Sequence, residues 1–557
     1  MTSQSAESAG EDRSLADPLL VVLAGLLIPY SLYVRGVPVG HDTPWHLPIF
    51  AAFHQQLTAG EIYPRWLTSM NHGLGSPLVF GYPPLPFWLA SIVGLALAPF
   101  GVASAAFVMG VSLACATAAS GLAMWFCLDG IVRPPFRLLG ALLYMLAPYH
   151  LLVDLYTRVA ISEYWGFVFA PLLMYFARRA AAREKDGLAG LALSLAGMLL
   201  CHPFTALMFA GIPVVYTAVF ARDRVRSILR LAAAYMLGAG IAAVYLVPGL
   251  AHQKWFSLAR FNSNPLYRFD LHFLPIAAPI PDLPFARGLL MLLPVMLAVC
   301  LWGYWSCRSR QGGIPKGEPA FWMGTALAAA CLMLVISKPV WLAIPLLQGI
   351  QFPWRFHTVL VLSASMLVAL AFDRTLGAGV SRRAARQLAL LLVAGGMLFT
   401  SIMGFSSRPI AERETAGLAA IRYDLFSAMW TQGELARVTS PGQMRELADR
   451  YPEAAFSEGE GEVSVIARAP REVRLRAHSA PGGWIRVRQA FYPAWVADPY
   501  AVRAGTSGLV EIHVPPGDEE IRLRLPYGRA EKAGLAISIA SLLILLLGSV
   551  IGRPTRD

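Results

Sequence analysis

A carboxylate and two imidazoles stand together in Gly40-His41-Asp42-Thr43-Pro44-Trp45-His46, directly after the first apolar run of membrane length. Charge at the edge of a bilayer is costly, and the usual reason to keep it is a polar cavity, an ion path or a site. Asp42 is suited to general-base or metal-ligand chemistry, the alternative being a cap or turn at the start of an interfacial helix. His46 follows four residues later and shares a face with Asp42 if the stretch is helical, although Pro44 and Pro48 argue against a continuous helix. His41 is grouped with them as a residue lining the same place.

Further ionisable residues fall at the ends of later apolar runs. Tyr156-Thr157-Arg158-Val159-Ala160-Ile161-Ser162-Glu163 holds a cation and a carboxylate five residues apart. They either pair with each other or serve a site, the Arg meeting a phosphate and the Glu a metal or an acceptor hydroxyl. His202, in Cys201-His202-Pro203-Phe204-Thr205, stands at the apex of a helical hairpin. It either lines the site or is a packing residue. Gln351-Phe352-Pro353-Trp354-Arg355-Phe356 reads as irregular backbone in a cavity wall. Arg355 there is a phosphate anchor, with snorkelling beside Trp354 as the alternative. His252 and Lys254 follow another span, and Lys254 is a third cation for a phosphate. Asp42, Glu163 and His46 are the ligands expected for a divalent metal, Mg or Mn, if one is used. No phosphate-binding glycine loop, dinucleotide fingerprint or nucleophile elbow is present.

The elements that must position these groups are membrane helices. Of 557 residues 56% are hydrophobic and only 14% charged, with a mean hydropathy of +0.54, which is the composition of a polytopic membrane protein. The net charge of +12 comes from Arg residues in short gaps between apolar runs, so it reports topology and not nucleic-acid binding. About twelve spans of membrane length are expected near 17-35, 104-128, 138-153, 163-178, 187-203, 204-221, 229-249, 287-306, 320-337, 357-372, 387-405 and 533-551. Basic gaps holding Arg178 to Lys185, Arg222 to Arg230, Arg308 to Lys316 and Arg374 to Arg386 are expected on the cytoplasmic side. Consistent parity then makes 84-99, which begins Pro84-Leu85-Pro86, an interfacial or re-entrant helix. It puts Asp42 in one long outer loop, 36-103. The aromatic run Trp45, Tyr63, Trp66, Phe80, Tyr82, Phe87 and Trp88 in that loop reads as an interfacial belt, with sugar stacking as the alternative.

Beyond residue 405 the apolar runs stop. Period-two alternation appears in Glu462 to Ile466, Glu472 to Arg476, Leu509 to Val514 and Glu520 to Leu525, with turns at Pro481-Gly482-Gly483 and Pro515-Pro516-Gly517-Asp518. The expected organisation is a cytoplasmic tail at 1-16 and a transmembrane domain at 17-405. A β-sandwich at 406-532 follows outside the cytoplasm, and then a last helix and cytoplasmic tail at 533-557.

Five ordered pieces carry a family resemblance: Gly40-His41-Asp42 with His46, Gly81-Tyr82-Pro83-Pro84-Leu85-Pro86, Tyr156 to Glu163, His202-Pro203-Phe204-Thr205-Ala206-Leu207, and Gln351 to Phe356. Together they resemble the integral membrane proteins named for a 6-pyruvoyl-tetrahydropterin synthase-related domain, and through them the GT-C glycosyltransferases. The tail Trp484 to Trp495, with Phe491-Tyr492-Pro493-Ala494-Trp495, is similar to the end domain of related large membrane proteins, with Ala494 where a Gly is usual. The resemblance implies a mainly helical, GT-C-like fold in a bacterial inner membrane, with both termini cytoplasmic and the β-domain periplasmic or extracellular. It implies sugar transfer from a polyprenyl-phosphate donor in the lipid to a glycan, lipid or protein acceptor of the cell envelope. Asp42 and Glu163 map onto the catalytic acidic residues; by their own chemistry Asp42 is the base, Glu163 a supporting carboxylate, and Arg158, Arg355 and Lys254 the donor-phosphate contacts. A transporter or flippase of lipid-linked glycans, and a non-catalytic envelope-assembly protein, are the competing classes. The β-domain is expected to bind or screen the acceptor, or to act as a structural lid.

Overall fold

The computed structural model describes residues 15–257, 265–274, 283–308, 317–407, 430–438 and 440–551. The tail before residue 15, Arg310 and Lys316 of one basic gap, 408–429 and 552–557 lie outside the described residues. Each of the twelve expected spans coincides with a helix or a helix pair. Among the described residues eight helices are long and apolar enough to cross a membrane, or nine if the pair Arg224–Ile241 and Ala243–Trp255, bent by 67°, is one span. The others fall short for stated reasons. Gly187–Cys201 has 15 residues and Glu318–Met333 has 16, while Ile161–Ala181 is long enough but carries Glu163, Arg178 and Arg179. Leu85–Leu97 has 13 residues, about 20 Å of helix and less than a bilayer core. The span Pro353–Leu376 is the most enclosed, 94% buried, and its helix packs against those at Leu283–Arg308, Glu318–Met333 and Pro134–Leu146.

The C-terminal β region has seven strands: β1 Ala454–Gly459, β2 Glu462–Ala469, β3 Glu472–Ser479, β4 Gly483–Ala490, β5 Val502–Ala504, β6 Leu509–Val514 and β7 Gly517–Arg524. They form two antiparallel sheets, β1-β4-β6-β5 and β2-β3-β7. Alternation decides their faces: Val473, Leu475, Ile521 and Leu523 of one sheet share a core with Ile485, Val487, Val510 and Ile512 of the other.

That core takes in a residue from far along the chain. Trp66 is fully buried between Trp430, Tyr492 and Trp495, with ring centroids 5.2 to 6.1 Å away. Phe80 and Phe87 are buried as well. The aromatic run is therefore no continuous belt, because at these three positions it builds core. Next to Trp66 a buried ion network ties four parts of the chain together. Glu531 at the start of the last helix pairs with Arg65 at 3.0 Å and Arg471 at 2.8 Å, and Arg471 reaches Glu61 at 3.2 Å. Arg65 also donates to the Val244 carbonyl at the bend of the helix pair.

Removing one member of a buried pair leaves uncompensated charge and costs about 3 to 5 kcal/mol. Glu531→Ala is accordingly expected to lower the thermal unfolding midpoint of the purified protein clearly, followed by tryptophan fluorescence. Arg450→Ala, which breaks only exposed pairs, is expected to change it little. Equal effects would mean that the network does not hold the β region to the helices.

Candidate functional site

The local backbone brings the charged residues together. After Pro148 the chain forms a π-helical stretch, Tyr149–Arg158, a form that recurs at functional sites. It ends at Val159, whose φ of 57° is left-handed and strained for a β-branched residue. The turn sets Arg158 at one helix end and Glu163 in the first turn of the next helix. On the other side, His41 N–H donates to the Thr157 carbonyl at 3.0 Å and Asp42 N–H to the Arg158 carbonyl at 2.8 Å. Gly40 permits this approach, since a Cβ there would lie 2.7 Å from the Arg158 carbonyl oxygen. The helix after Asp42, Thr43–Thr58, is continuous through both prolines. Pro44 sits in the first turn, where its missing N–H is not needed, and the loss of one bond at Pro48 is tolerated.

Asp42 does not cap that helix with its side chain. Its Oδ2 accepts from Arg158 Nη2 at 3.1 Å instead, while Arg158 Nη1 meets Asp154 Oδ1 at 2.5 Å and Glu163 Oε2 at 2.7 Å. Glu163 also faces Arg355 Nε at 3.2 Å and accepts from the Tyr149 hydroxyl at 3.1 Å. Arg158 and Glu163 thus pair with each other and belong to a larger cluster. Asp154 is the member the sequence reading missed; its spacing of four residues from Arg158 on one helix face was the available signal. Arg158 is 5% exposed, Asp154 0% and Glu163 1%, whereas Asp42 is 29% exposed. Asp42 is the cluster's opening to solvent.

Arg355 is presented by a short turn, Pro353–Phe356, after Gln351 in left-handed conformation. Its Nη1 donates to the Ile350 carbonyl at 2.7 Å. Trp354 lies under Arg158, 5.1 Å from guanidinium carbon to ring centre. The His46 Nδ1 faces the Val159 carbonyl at 3.2 Å, so Nδ1 carries the hydrogen, and Nε2 accepts from the Tyr82 hydroxyl at 2.6 Å. His202 bonds Thr205 at 2.7 Å, within electrostatic range of Arg355, Glu163, Arg158 and His46. His41 is exposed, its ring against Phe285 at 4.9 Å. Lys254 is not brought to the cluster: it is exposed with its ammonium over Trp255, and His252 bonds Tyr492 of the β region at 2.6 Å. Among the described residues no three His, Cys, Asp or Glu side chains gather as metal ligands. Asp42 Oδ2 and Glu163 Oε2 face guanidinium groups, Glu163 Oε1 accepts from the Tyr149 hydroxyl, and both His46 nitrogens are taken, so as placed the three do not converge as ligands for Mg or Mn.

No family model and no curated protein matches the chain, so the motif resemblance rests on those motifs alone. Among solved structures it is similar to the mycobacterial arabinofuranosyltransferase AftD, at 14% identity and a TM-score of 0.46 over 71% of this chain and 27% of that one. It is also similar to the Archaeoglobus fulgidus oligosaccharyltransferase, at 13% identity and 0.42 over 71% and 56%. The chain therefore spans about a quarter of AftD and about half of the oligosaccharyltransferase. At these scores the likenesses carry no weight for function.

Two outcomes follow from this geometry. Gly40→Ala changes no charge but pushes the segment at Asp42 off the Arg158 carbonyl, and it is expected to reduce both thermal stability and any activity that needs Asp42. A variant indistinguishable from the parent in both would contradict the close packing. Burial holds His46 below its ordinary value of 6.5 against the raising effect of Asp42, with Arg158 and Arg355 also lowering it. The unfolded chain takes up that proton as the pH falls through about 6.5 while the folded chain refuses it, so stability is retained above that pH and lost below it. Between pH 7.5 and 5.5 the unfolding midpoint of the parent is expected to fall more steeply than that of His46→Gln; parallel curves would assign the acid sensitivity elsewhere.

Proposed function

We propose that this protein is a membrane glycosyltransferase that moves a sugar from a polyprenyl-phosphate donor to a cell-envelope glycan, lipid or protein acceptor on the outer membrane face. The observation that carries the reading is the asymmetric exposure of the ion cluster: one half-open carboxylate, Asp42, held by a buried guanidinium.

In an inverting transfer the acceptor hydroxyl oxygen forms a bond to the anomeric carbon as the bond from that carbon to the phosphate oxygen breaks. The hydroxyl proton passes to Asp42, and the electron pair of the broken bond leaves with polyprenyl phosphate. Arg158 Nη2 holds the Asp42 carboxylate at 3.1 Å, so the base is positioned before substrate arrives. Arg158 is committed to three carboxylates and serves as their counter-ion. Arg355, with one arm on the Ile350 carbonyl, is the better phosphate contact and stabilises the charge that develops on the leaving group. Glu163 holds both arginines in place. Asp154 Oδ1 accepts from Arg158 Nη1 and fixes the guanidinium in place.

In nanodiscs supplied with a panel of polyprenyl-phosphate sugars, the parent is expected to release polyprenyl phosphate. Asp42→Asn, at a partly exposed position, is expected to stay monodisperse and lose about a hundredfold to ten-thousandfold in turnover. Full turnover in that variant would remove Asp42 as the base. Stoichiometric capture of a glycan or protein without turnover by the parent would favour a binding role.

A further inference from the structure

Away from the ion cluster, the first loop and the β region enclose a cavity of about 330 Å³. Thr68 and Ser69 line it from the loop, and Glu453, Arg468, Arg488 and Gln489 from the β region. The two arginines come from different sheets, Arg468 at the end of β2 and Arg488 near the end of β4. Arg468 Nη2 reaches the backbone carbonyl of Arg488 at 3.5 Å, and each guanidinium lies in the electrostatic field of the other. Among the described residues no carboxylate comes within ion-pair distance of Arg468, while Glu453 approaches Arg488 only at 3.8 Å from an exposed position. Glu453 also acts on Arg468, and more strongly than Arg488 does, so two guanidinium groups stand against one carboxylate and the cleft keeps an excess of positive charge that an anion would match.

We propose that this cleft binds an acidic glycan, one that carries carboxylate or phosphate groups on its sugars. The planar guanidinium fork matches either group with two parallel hydrogen bonds. The Ser69 hydroxyl offers a donor and an acceptor for sugar hydroxyls, the Thr68 hydroxyl, which donates to Gln56, keeps acceptor capacity, and the volume suits roughly one or two sugar units. The lining mixes polar and apolar surface, which suits the polar edges and apolar face of a sugar ring. The inference deepens the transferase reading by giving the chemistry of the acceptor, but the cleft itself does not depend on Asp42.

The test uses the full chain in phosphatidylcholine nanodiscs, with tetragalacturonate as the acidic probe and maltotetraose as the neutral one. Saturable, salt-sensitive binding of tetragalacturonate alone is expected, weakened about tenfold or more by Arg468→Ala with Arg488→Ala. Ser69→Trp, which fills the cleft from the loop side without changing charge, is expected to weaken it too and guards against misfolding of the double variant. Equal affinity in the variants, or equal binding of maltotetraose, would overturn the proposal. So would loss of tetragalacturonate binding on adding phosphatidylglycerol to the bilayer, which would give the arginines to the lipid surface. Asp42→Asn is expected to bind tetragalacturonate normally, so that failure of the catalytic reading and failure of the cleft are seen separately.

Discussion

A guanidinium withdrawn from water at the end of an apolar helix must be matched, and the matching of Arg158 organises this protein. Its partners come from three places: Asp154 from its own π-helical stretch, Glu163 from the next helix, and Asp42 from the first loop. Each approach has a local backbone cause, namely the π-helical stretch, the left-handed Val159 and the missing side chain of Gly40. Three carboxyl groups, Asp42, Asp154 and Glu163, gather around two guanidinium groups, Arg158 and Arg355. The one with access to solvent is Asp42, and that is where a substrate can meet the cluster.

The same loop is fastened at a second point. Glu61 and Arg65 join Arg471 and Glu531 in a buried network, and Trp66 enters the core of the β region. A segment that begins at the ion cluster thus ends its first half locked to the C-terminal sheets and the last helix. The arginine-lined cleft beside Thr68 lies just beyond this lock, so the geometry that fixes the loop also shapes a place for an extended substrate.

Much of this was readable from residue order. Apolar length located the helices, period-two alternation located four of the strands, and the cost of intramembrane charge singled out Asp42, Arg158, Glu163 and Arg355. What could not be read depended on pairing across the chain. Asp154 went unremarked within an apolar run, although the buried Arg158 pairs with it. Glu61, Arg65, Arg471 and Glu531 are separated by up to 470 positions, and nothing local marks them as one network. Lys254 was drawn toward the site by its place after a span, yet the bend between Ile241 and Ala243 and the pull of the aromatic junction leave it over Trp255. Trp66 shows the limit of pattern reading for aromatics, because belt, platform and core residues look alike until their neighbours are known.

The most direct test of the central claim is an experimental structure of the protein in nanodiscs with polyprenyl phosphate bound. The account predicts phosphate density against the Arg355 guanidinium, on the side of the cluster opened by Asp42, with Arg158 still held by its carboxylates. Phosphate bound elsewhere, with Asp42 and Arg355 facing apart, would contradict it.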